Sequence, residues 1–131
     1  MAKTLEGGCF CGEIRYQITG EPVFQHFCFC SDCLSITGTD GYAGYLVKDE
    51  HFSLIKGLPR THDKLSREGQ VLKRHFCGSC GSNLWGKTEF GLTNVAVGSL
   101  DDSSEFKPTA NVFAHDAPKW ARVPEDLEDI K

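Results

Sequence analysis

The sequence predicts an all-β protein built from short strands. Its apolar runs are short, they are rich in β-branched or aromatic residues, and Gly, Asp, Pro or Ser bounds each of them. The 14 glycines add frequent positions at which the chain can turn. No apolar pattern with helical spacing is long enough to organise the fold.

The first expected strand covers residues 13–19, where Ile14, Tyr16 and Ile18 alternate with polar residues before a turn that contains Gly20 and Pro22. Short β-branched or aromatic runs predict further strands later in the chain. In order, these are Tyr42–Val47, Phe52–Ile55, Val71–Phe76, Ser82–Trp85, Asn94–Leu100 and Asn111–Ala114.

Helix is expected in two places only. Ser31 or Asp32 is a capping residue for a single turn that runs through Leu34. Pro124 suits the first position of a short carboxy-terminal helix, with Leu127 and Ile130 three apart on one face.

The 131 residues and 14.5 kDa predict one domain over residues 1–131. No stretch approaches the roughly 18 consecutive apolar residues of a membrane helix, so we expect no membrane span. The amino terminus lacks an apolar secretion segment, and the expected compartment is the cytoplasm. The net charge is −4 without clustered cations, which disfavours nucleic acid as a partner.

Seven cysteines stand beside a single methionine. An odd number cannot close into intrachain disulfides, and cytoplasmic thiols stay reduced, so metal binding or catalysis remains. Buried cysteines that only fill space would be scattered. Here all seven fall into three clusters: Cys9 and Cys11; Cys28, Cys30 and Cys33; Cys77 and Cys80.

The spacing of these clusters indicates two metal sites. Cys77-Gly-Ser-Cys80-Gly81 has the form of a zinc-binding turn, although a thioredoxin-like redox pair has the same spacing in a βαβ context. Together with Cys9 and Cys11 it supplies four thiolates for a closed, structural zinc site. The alternative is an ordinary two-knuckle zinc ribbon, in which Cys30 and Cys33 bind one ion together with Cys77 and Cys80. It leaves three cysteines without a role: Cys9, Cys11 and Cys28.

Cys28, Cys30 and Cys33 offer three ligands within six residues, which leaves the fourth position of a tetrahedral zinc open. Three thiolates make the ion electron-rich and a poor activator of water. Such a soft site suits a fourth sulfur, so the residues predict a thiol substrate that is held as a thiolate beside its electrophile.

Three motifs resemble the glutathione-dependent formaldehyde-activating enzyme family, also called the CENP-V/GFA domain. They are Gly8-Cys9-Phe10-Cys11-Gly12 with Ile14 and Tyr16 following, Cys28-x-Cys30-x-x-Cys33 with Gly38, and Phe76-Cys77-Gly-Ser-Cys80-Gly81-Ser82. The segment His115-Asp116-Ala117-Pro118-Lys119-Trp120 also looks like the closing signature of the family. These motifs span residues 8–120.

The resemblance implies an Mss4-like fold of short, strongly coiled antiparallel sheets that zinc staples together. Cys9, Cys11, Cys77 and Cys80 match the structural zinc ligands, and Cys28, Cys30 and Cys33 match the catalytic ones. The implied activity is the formation of S-hydroxymethylglutathione from glutathione and formaldehyde, which is classed with the carbon–sulfur lyases. The implied partners are a small-molecule thiol such as glutathione and a small aldehyde.

Two positions depart from the family pattern. Phe29 stands where histidine is common, and Leu34 follows the third cysteine where a basic residue is frequent. His26 is interpreted as a surface or hydrogen-bonded residue and not as a ligand. Four basic residues are candidates for contacts to the carboxylates of a glutathione-like ligand, although cations on strand faces are usually solvated, and the sequence does not choose among them: Lys73, Arg74, Lys119 and Arg122.

Two other functions use the same scaffold. A non-catalytic, zinc-binding Mss4-like module would bind a protein partner and hold one inert ion. A redox protein related in fold to the methionine sulfoxide reductases would need a reactive cysteine free of metal, whereas every cysteine here is assigned to a metal site.

Overall fold

The computed structural model describes residues 3–66 and 69–130 and is mostly β. Its strands are β1 (Thr4–Gly8), β2 (Arg15–Thr19), β3 (Phe24–Cys28), β4 (Tyr42–Lys48), β5 (Phe52–Lys56), β6 (Arg60–Leu65), β7 (Val71–Phe76), β8 (Asn83–Lys87), β9 (Leu92–Ala96), β10 (Ala110–Val112) and β11 (Glu128–Ile130). The α-helix α1 (Ser31–Thr37) lies between β3 and β4, and single 3-10 turns occupy Asp49–His51, Val97–Ser99 and Ala114–Asp116.

The strands form two open sheets. The small sheet has the order β1-β2-β5, and the large sheet has the order β11-β10-β3-β4-β9-β8-β7-β6. Most neighbours are antiparallel, but β10 pairs parallel with both β3 and β11, so the expectation of purely antiparallel sheets is wrong at this edge. An isolated bridge between Gly7 and Leu100 joins the small sheet to the segment that follows β9.

The hydrophobic core lies between the two sheets. Ile14, Tyr16 and Ile18 fill it from the small sheet, as their alternation predicts, and each of them is almost completely buried. Trp85 meets Tyr16 edge-on with ring centroids 5.8 Å apart. Tyr16 also bonds through its hydroxyl to the Ser99 hydroxyl at 2.5 Å, which satisfies the one polar atom that this ring brings into the core.

Helix α1 is longer than the single expected turn and begins elsewhere. Its N-cap is Cys30, not Ser31 or Asp32, and the Cys30 sulfur accepts a bond from the Cys33 N–H at 3.4 Å. It ends at Gly38, whose φ of +73° is the left-handed conformation in which glycine replaces a side chain at low cost. The helix therefore starts on a cysteine of the middle cluster.

Several expected elements differ in extent or type. The strand expected at Asn94–Leu100 ends at Ala96, where the Val97–Ser99 3-10 turn begins. The strands β1, β3, β6 and β11 were not expected from the sequence. The carboxy-terminal helix from Pro124 is wrong, because the chain there extends to pair with β10 as β11.

Within residues 3–66 and 69–130, no helix combines the length and the apolar character that crossing a membrane requires.

Asn111 holds the carboxy-terminal strand in place. It is completely buried, and its amide nitrogen donates to the Pro124 carbonyl at 2.7 Å and to the Asp129 carboxylate at 3.1 Å. We expect Asn111→Ala to lower the free energy of unfolding by about 1–3 kcal/mol, since the two hydrogen bonds donated by this buried amide are lost. Urea unfolding measures the loss, and hydrogen exchange should show faster exchange of the β11 amides. The control, Asp129→Asn, keeps an acceptor oxygen and should be nearly neutral; equal damage from both changes would contradict this role.

Candidate metal centres and adjoining clefts

The first cysteine cluster joins the end of β1 to the end of β7. The sulfurs of Cys9, Cys11, Cys77 and Cys80 all lie within 4.8 Å of one another. The Cys9 and Cys11 sulfurs are 3.6 Å apart, and those of Cys11 and Cys77 are 3.8 Å apart. Two segments that are 66 residues apart in sequence thus meet at one point.

Two tight turns bring these sulfurs together. The Gly12 N–H donates to the Cys9 carbonyl at 3.1 Å, and the Gly81 N–H donates to the Cys77 carbonyl at 2.8 Å. Both glycines have φ near +80°, a conformation that any other residue adopts only with strain. The turn at Gly12 is what allows Cys9 and Cys11, two residues apart, to face the same point.

Ser82 connects the two halves of this cluster. Its hydroxyl oxygen accepts the Phe10 N–H at 2.9 Å and lies 3.2 Å from the Cys80 sulfur, to which it donates. This bond lowers the pKa of Cys80 to about 6, because it stabilises the thiolate. In the sequence, Ser82 is marked only by its place directly after Cys80-Gly81 at the end of the third motif, and a contact to a sulfur was not predicted for it.

The second cluster is made by one short segment. Cys28 ends β3, Cys30 caps α1 and Cys33 lies in the first turn of the helix. Their sulfurs all lie within 4.8 Å of one another, and the Cys28 and Cys30 sulfurs are 3.6 Å apart. Cys28 is buried, whereas Cys30 and Cys33 are partly accessible.

The three thiols share their protons unequally. Hydrogen bonds from Cys28 and Cys33, together with backbone N–H groups, lower the pKa of Cys30 to about 2. The same hydrogen bonds raise the pKa of the two donor thiols. The bond to Cys30 raises the pKa of Cys28 to about 11, and the bonds to Cys28 and Cys30 raise the pKa of Cys33. Cys30 is therefore the thiolate of the group, and a divalent cation would displace the protons of the other two.

Both clusters fit a thiophilic divalent ion such as zinc. A tetrahedral ion with Zn–S bonds of about 2.3 Å separates its sulfurs by about 3.8 Å, and the closest sulfur pairs here are 3.6–3.8 Å apart. The first cluster offers four sulfurs, which completes a tetrahedron. The second offers three and leaves one position for a ligand from outside the chain.

The structure divides the seven cysteines into four and three, as the spacing favoured. Cys30 and Cys33 do not join Cys77 and Cys80, so the two-knuckle grouping is not observed. His26 belongs to neither cluster. It is buried and not at the surface, and burial lowers its pKa to about 4; a hydrogen bond with the Phe27 backbone agrees with the other part of the interpretation.

Phe29, between the first two cysteines of the second cluster, is a packing residue. Its ring is 98% buried and lies so close to Gly41 that a β-carbon there would approach it to 3.0 Å. Its N–H donates to the Val112 carbonyl at 2.9 Å. The side chain fixes the backbone of the cluster and supplies no polar group to the sulfurs.

A cleft of about 580 Å³ lies beside α1, and glycines, hydroxyl side chains and apolar side chains all contribute to its wall. Among the described residues that line it, only Arg15 and Asp101 carry charge. Arg15 binds both carboxylate oxygens of Asp101, one of them at 2.9 Å, and this ion pair lowers the pKa of Asp101. The cleft is therefore locally neutral, with a wall of mixed polar and apolar character.

A smaller recess of about 40 Å³ lies between α1 and the large sheet. Cys33 of the second cluster is part of its wall. The recess shares Ile36, Tyr42 and Asn83 with the large cleft, so the two cavities adjoin. The recess therefore links the second cluster, through Cys33, to the large cleft, whose own wall includes Cys9 of the first cluster.

Comparison with known proteins gives one family. The family model described as "Glutathione-dependent formaldehyde-activating enzyme" matches residues 4–116. A Halomonas elongata protein, whose name assigns it provisionally as a glutathione-dependent formaldehyde-activating enzyme, is 35% identical over 88 residues, which are 62% of this chain. The chain spans about half of that relative, 54% of its length.

A crystal structure of a Rhodobacter sphaeroides protein is similar in fold. The superposition has a TM-score of 0.59 and covers 73% of this chain and 87% of the other, with 19% sequence identity. At this identity the likeness concerns the fold alone.

We expect Ser82→Ala to weaken metal binding at the first cluster by about 10–100-fold, the usual cost of losing a group that supports a ligand. The pKa of Cys80 would rise, so that more of this thiol must be deprotonated before it binds. Competition with a chromophoric chelator measures the affinity. Ser66→Ala is the matched control, because the Ser66 hydroxyl accepts the Gln70 N–H at 3.1 Å and, among the described residues, bonds to no sulfur. Equal affinities in the two variants would rule out this role for Ser82.

Proposed function

Because the chain belongs to the glutathione-dependent formaldehyde-activating enzyme family, we propose that it is a zinc-dependent carbon–sulfur lyase. It joins a small-molecule thiol to a small aldehyde, or cleaves the adduct. The observation that carries the proposal is the second cluster: three sulfurs converge beside a recess and leave one tetrahedral position for a substrate sulfur.

The proposal assigns two zinc ions to the one domain, residues 1–131. Cys9, Cys11, Cys77 and Cys80 hold the structural ion, which clips the two sheets into an Mss4-like arrangement. Cys28, Cys30 and Cys33 are the catalytic residues and hold the second ion. When bound, this ion supplies a positive charge that keeps an incoming thiol deprotonated at neutral pH.

The chain's own residues prepare the second site for this task. The bond between the Cys33 N–H and the Cys30 sulfur fixes the start of α1. Tyr42 anchors the neighbouring sheet, since its hydroxyl donates to the Asn94 carbonyl at 3.1 Å. Burial raises the pKa of Tyr42 far above its usual range, so this ring stays neutral and adds no competing charge.

The large cleft is the proposed seat of the thiol carrier. Its volume of about 580 Å³ falls in the range that small-molecule ligands occupy, roughly 300–1,000 Å³. Hydroxyl groups and backbone amides along its wall suit a peptide-like thiol such as glutathione. The Halomonas relative, by its name, acts with the same thiol and aldehyde, and we place the reaction in the cytoplasm.

Metal analysis and adduct kinetics test the function. We expect two zinc ions per chain, one of them exchangeable and responsive to thiol, and faster formation of the glutathione–formaldehyde adduct than in buffer alone. Cys30→Ser should lower the rate by at least about 100-fold, the scale on which even supporting groups of a metal site act, with little loss of stability. Cys77→Ser should lower the thermal unfolding midpoint instead.

The alternatives give different results. One inert ion without any acceleration would indicate a binding module. Acceleration with another thiol but not with glutathione would change the substrate and keep the reaction class. Equal loss of activity and stability in both variants would contradict the separate roles of the two clusters.

A further inference from the structure

The recess beside Cys33 holds a positive charge that no carboxylate of residues 3–66 or 69–130 neutralises. Arg74 is on β7, and in the described part of the chain no carboxylate pairs with it. Its terminal nitrogen donates to the Asn83 side-chain oxygen at 3.2 Å, and its guanidinium lies 5.7 Å from the centre of the Phe76 ring. These contacts hold the guanidinium in place without cancelling its charge.

The register of the large sheet explains why Arg74 faces the recess. Arg74 pairs with Gly86 on β8, and Gly86 pairs with Asn94 on β9, so the three residues share one face. The absence of a side chain at Gly86 opens the space between the other two. Cys33, from α1, closes the recess from above.

Two buried polar atoms of the recess walls lack partners. The Arg74 Nε–H and the Asn94 side-chain oxygen have no hydrogen bond within the described residues. Buried donors and acceptors are normally satisfied. A guest oxygen in the recess supplies the partner that the Arg74 Nε–H lacks.

The size of the recess limits the guest. A single water needs roughly 10–15 Å³ of such space, so about 40 Å³ admits only two or three non-hydrogen atoms. Leu72 and Ile36 form the apolar part of the wall. This volume suits a one-carbon aldehyde, and a branched or longer aldehyde would not fit within the recess alone.

Building on the proposed function, we propose that this recess is the carbonyl subsite, with Arg74 as the residue that binds the aldehyde oxygen. The substrate sulfur, as thiolate, forms a bond to the carbonyl carbon, and the π-electron pair of the C=O bond moves onto the oxygen. Arg74 stabilises the alkoxide, which then takes up a proton and balances the one that the thiol lost. Leu72 and Gly86 determine which aldehydes fit.

Binding to the recess is tested without turnover. In the full-length protein labelled with ¹⁵N, the Arg74 Nε–H signal is identified by its loss in Arg74→Lys. We expect added formate, a one-carbon oxygen acceptor, to shift this signal saturably, while the bulkier pivalate at equal ionic strength does not. No saturable shift would mean that the recess holds ordered water only and would overturn the proposal.

Kinetics test the role of the subsite. Arg74→Gln should lower kcat/KM by about 100-fold, the usual effect of losing one donor to a developing oxyanion. Lys73→Gln is the matched control, because this substitution removes an equal charge from the neighbouring position. The Lys73 side chain is exposed, and its ammonium group lies 2.9 Å from the Asp63 carboxylate. The kcat/KM of this control should equal that of the unmodified protein.

Aldehyde size gives the third readout. Relative to the spontaneous rates, formaldehyde should be preferred over propionaldehyde by about 10–200-fold per added methylene. Leu72→Ala should reduce this preference about tenfold. Gly86→Ala should increase it, because its β-carbon would lie 3.0 Å from Leu72 Cδ1 and fill the recess.

These outcomes separate the subsite from the reaction. If the protein accelerates adduct formation but Leu72→Ala and Gly86→Ala both keep its aldehyde preference, the subsite is overturned and the proposed function stays intact. A saturable formate shift without acceleration by any aldehyde would refute the proposed function, while the recess would stand as a site for small oxygen ligands.

Discussion

The convergence of sulfur atoms from distant parts of the chain is the constraint on which the rest of the structure depends. Cys9 and Cys11 follow a strand of the small sheet, whereas Cys77 and Cys80 follow a strand of the large one. Four thiolates so close together repel one another unless a cation or protons intervene. The core between the sheets is continuous with this cluster, since buried Cys9 and Cys77 belong to both. Packing and metal chemistry therefore fix the same relative position of the sheets.

The two clusters differ in how much of the chain they constrain. The first closes a separation of 66 residues, from Cys11 to Cys77, and a long closed loop loses much entropy in the unfolded state. The second lies within six residues, where the end of β3 and the first turn of α1 already hold the sulfurs near one another. Removing an ion from the second cluster would leave the backbone supported. This difference suits the first cluster for stability and the second for exchange with a substrate.

The sequence predicted the elements in which side-chain pattern and structure agree. Residues 13–19 alternate, and Arg15–Thr19 of this segment form β2; the cysteine spacings anticipated both clusters. It did not predict β1 or β6, because their stability comes from partners and not from their own residues. Strand β1 ends in Gly7-Gly8, where a β-carbon on Gly7 would come within 2.5 Å of the Tyr16 hydroxyl. Strand β6 is exposed along its whole length and exists by pairing with β7.

The spacing of Leu127 and Ile130 resembled a helix, but bonds from Asn111 hold that segment extended. Arg74 and Asn94 could not be placed together, since only the sheet register joins them.

Charge is distributed differently in the two cavities, and this bears on how each substrate would be recognised. In the large cleft Arg15 is neutralised by Asp101, so a thiol carrier would be selected by shape and hydrogen bonds. In the recess Arg74 faces an amide and an aromatic ring, which leave its charge available. Three thiolates on a divalent ion carry a net charge of −1, and a substrate thiolate adds another. A cation in the adjoining recess offsets part of this charge and acts most strongly when negative charge moves from sulfur to oxygen. The charge of Arg74 thus lies in the recess where the proposed reaction develops its alkoxide. The ion pair of Arg15 and Asp101 lies in the large cleft, where the thiol carrier would bind without a change of charge.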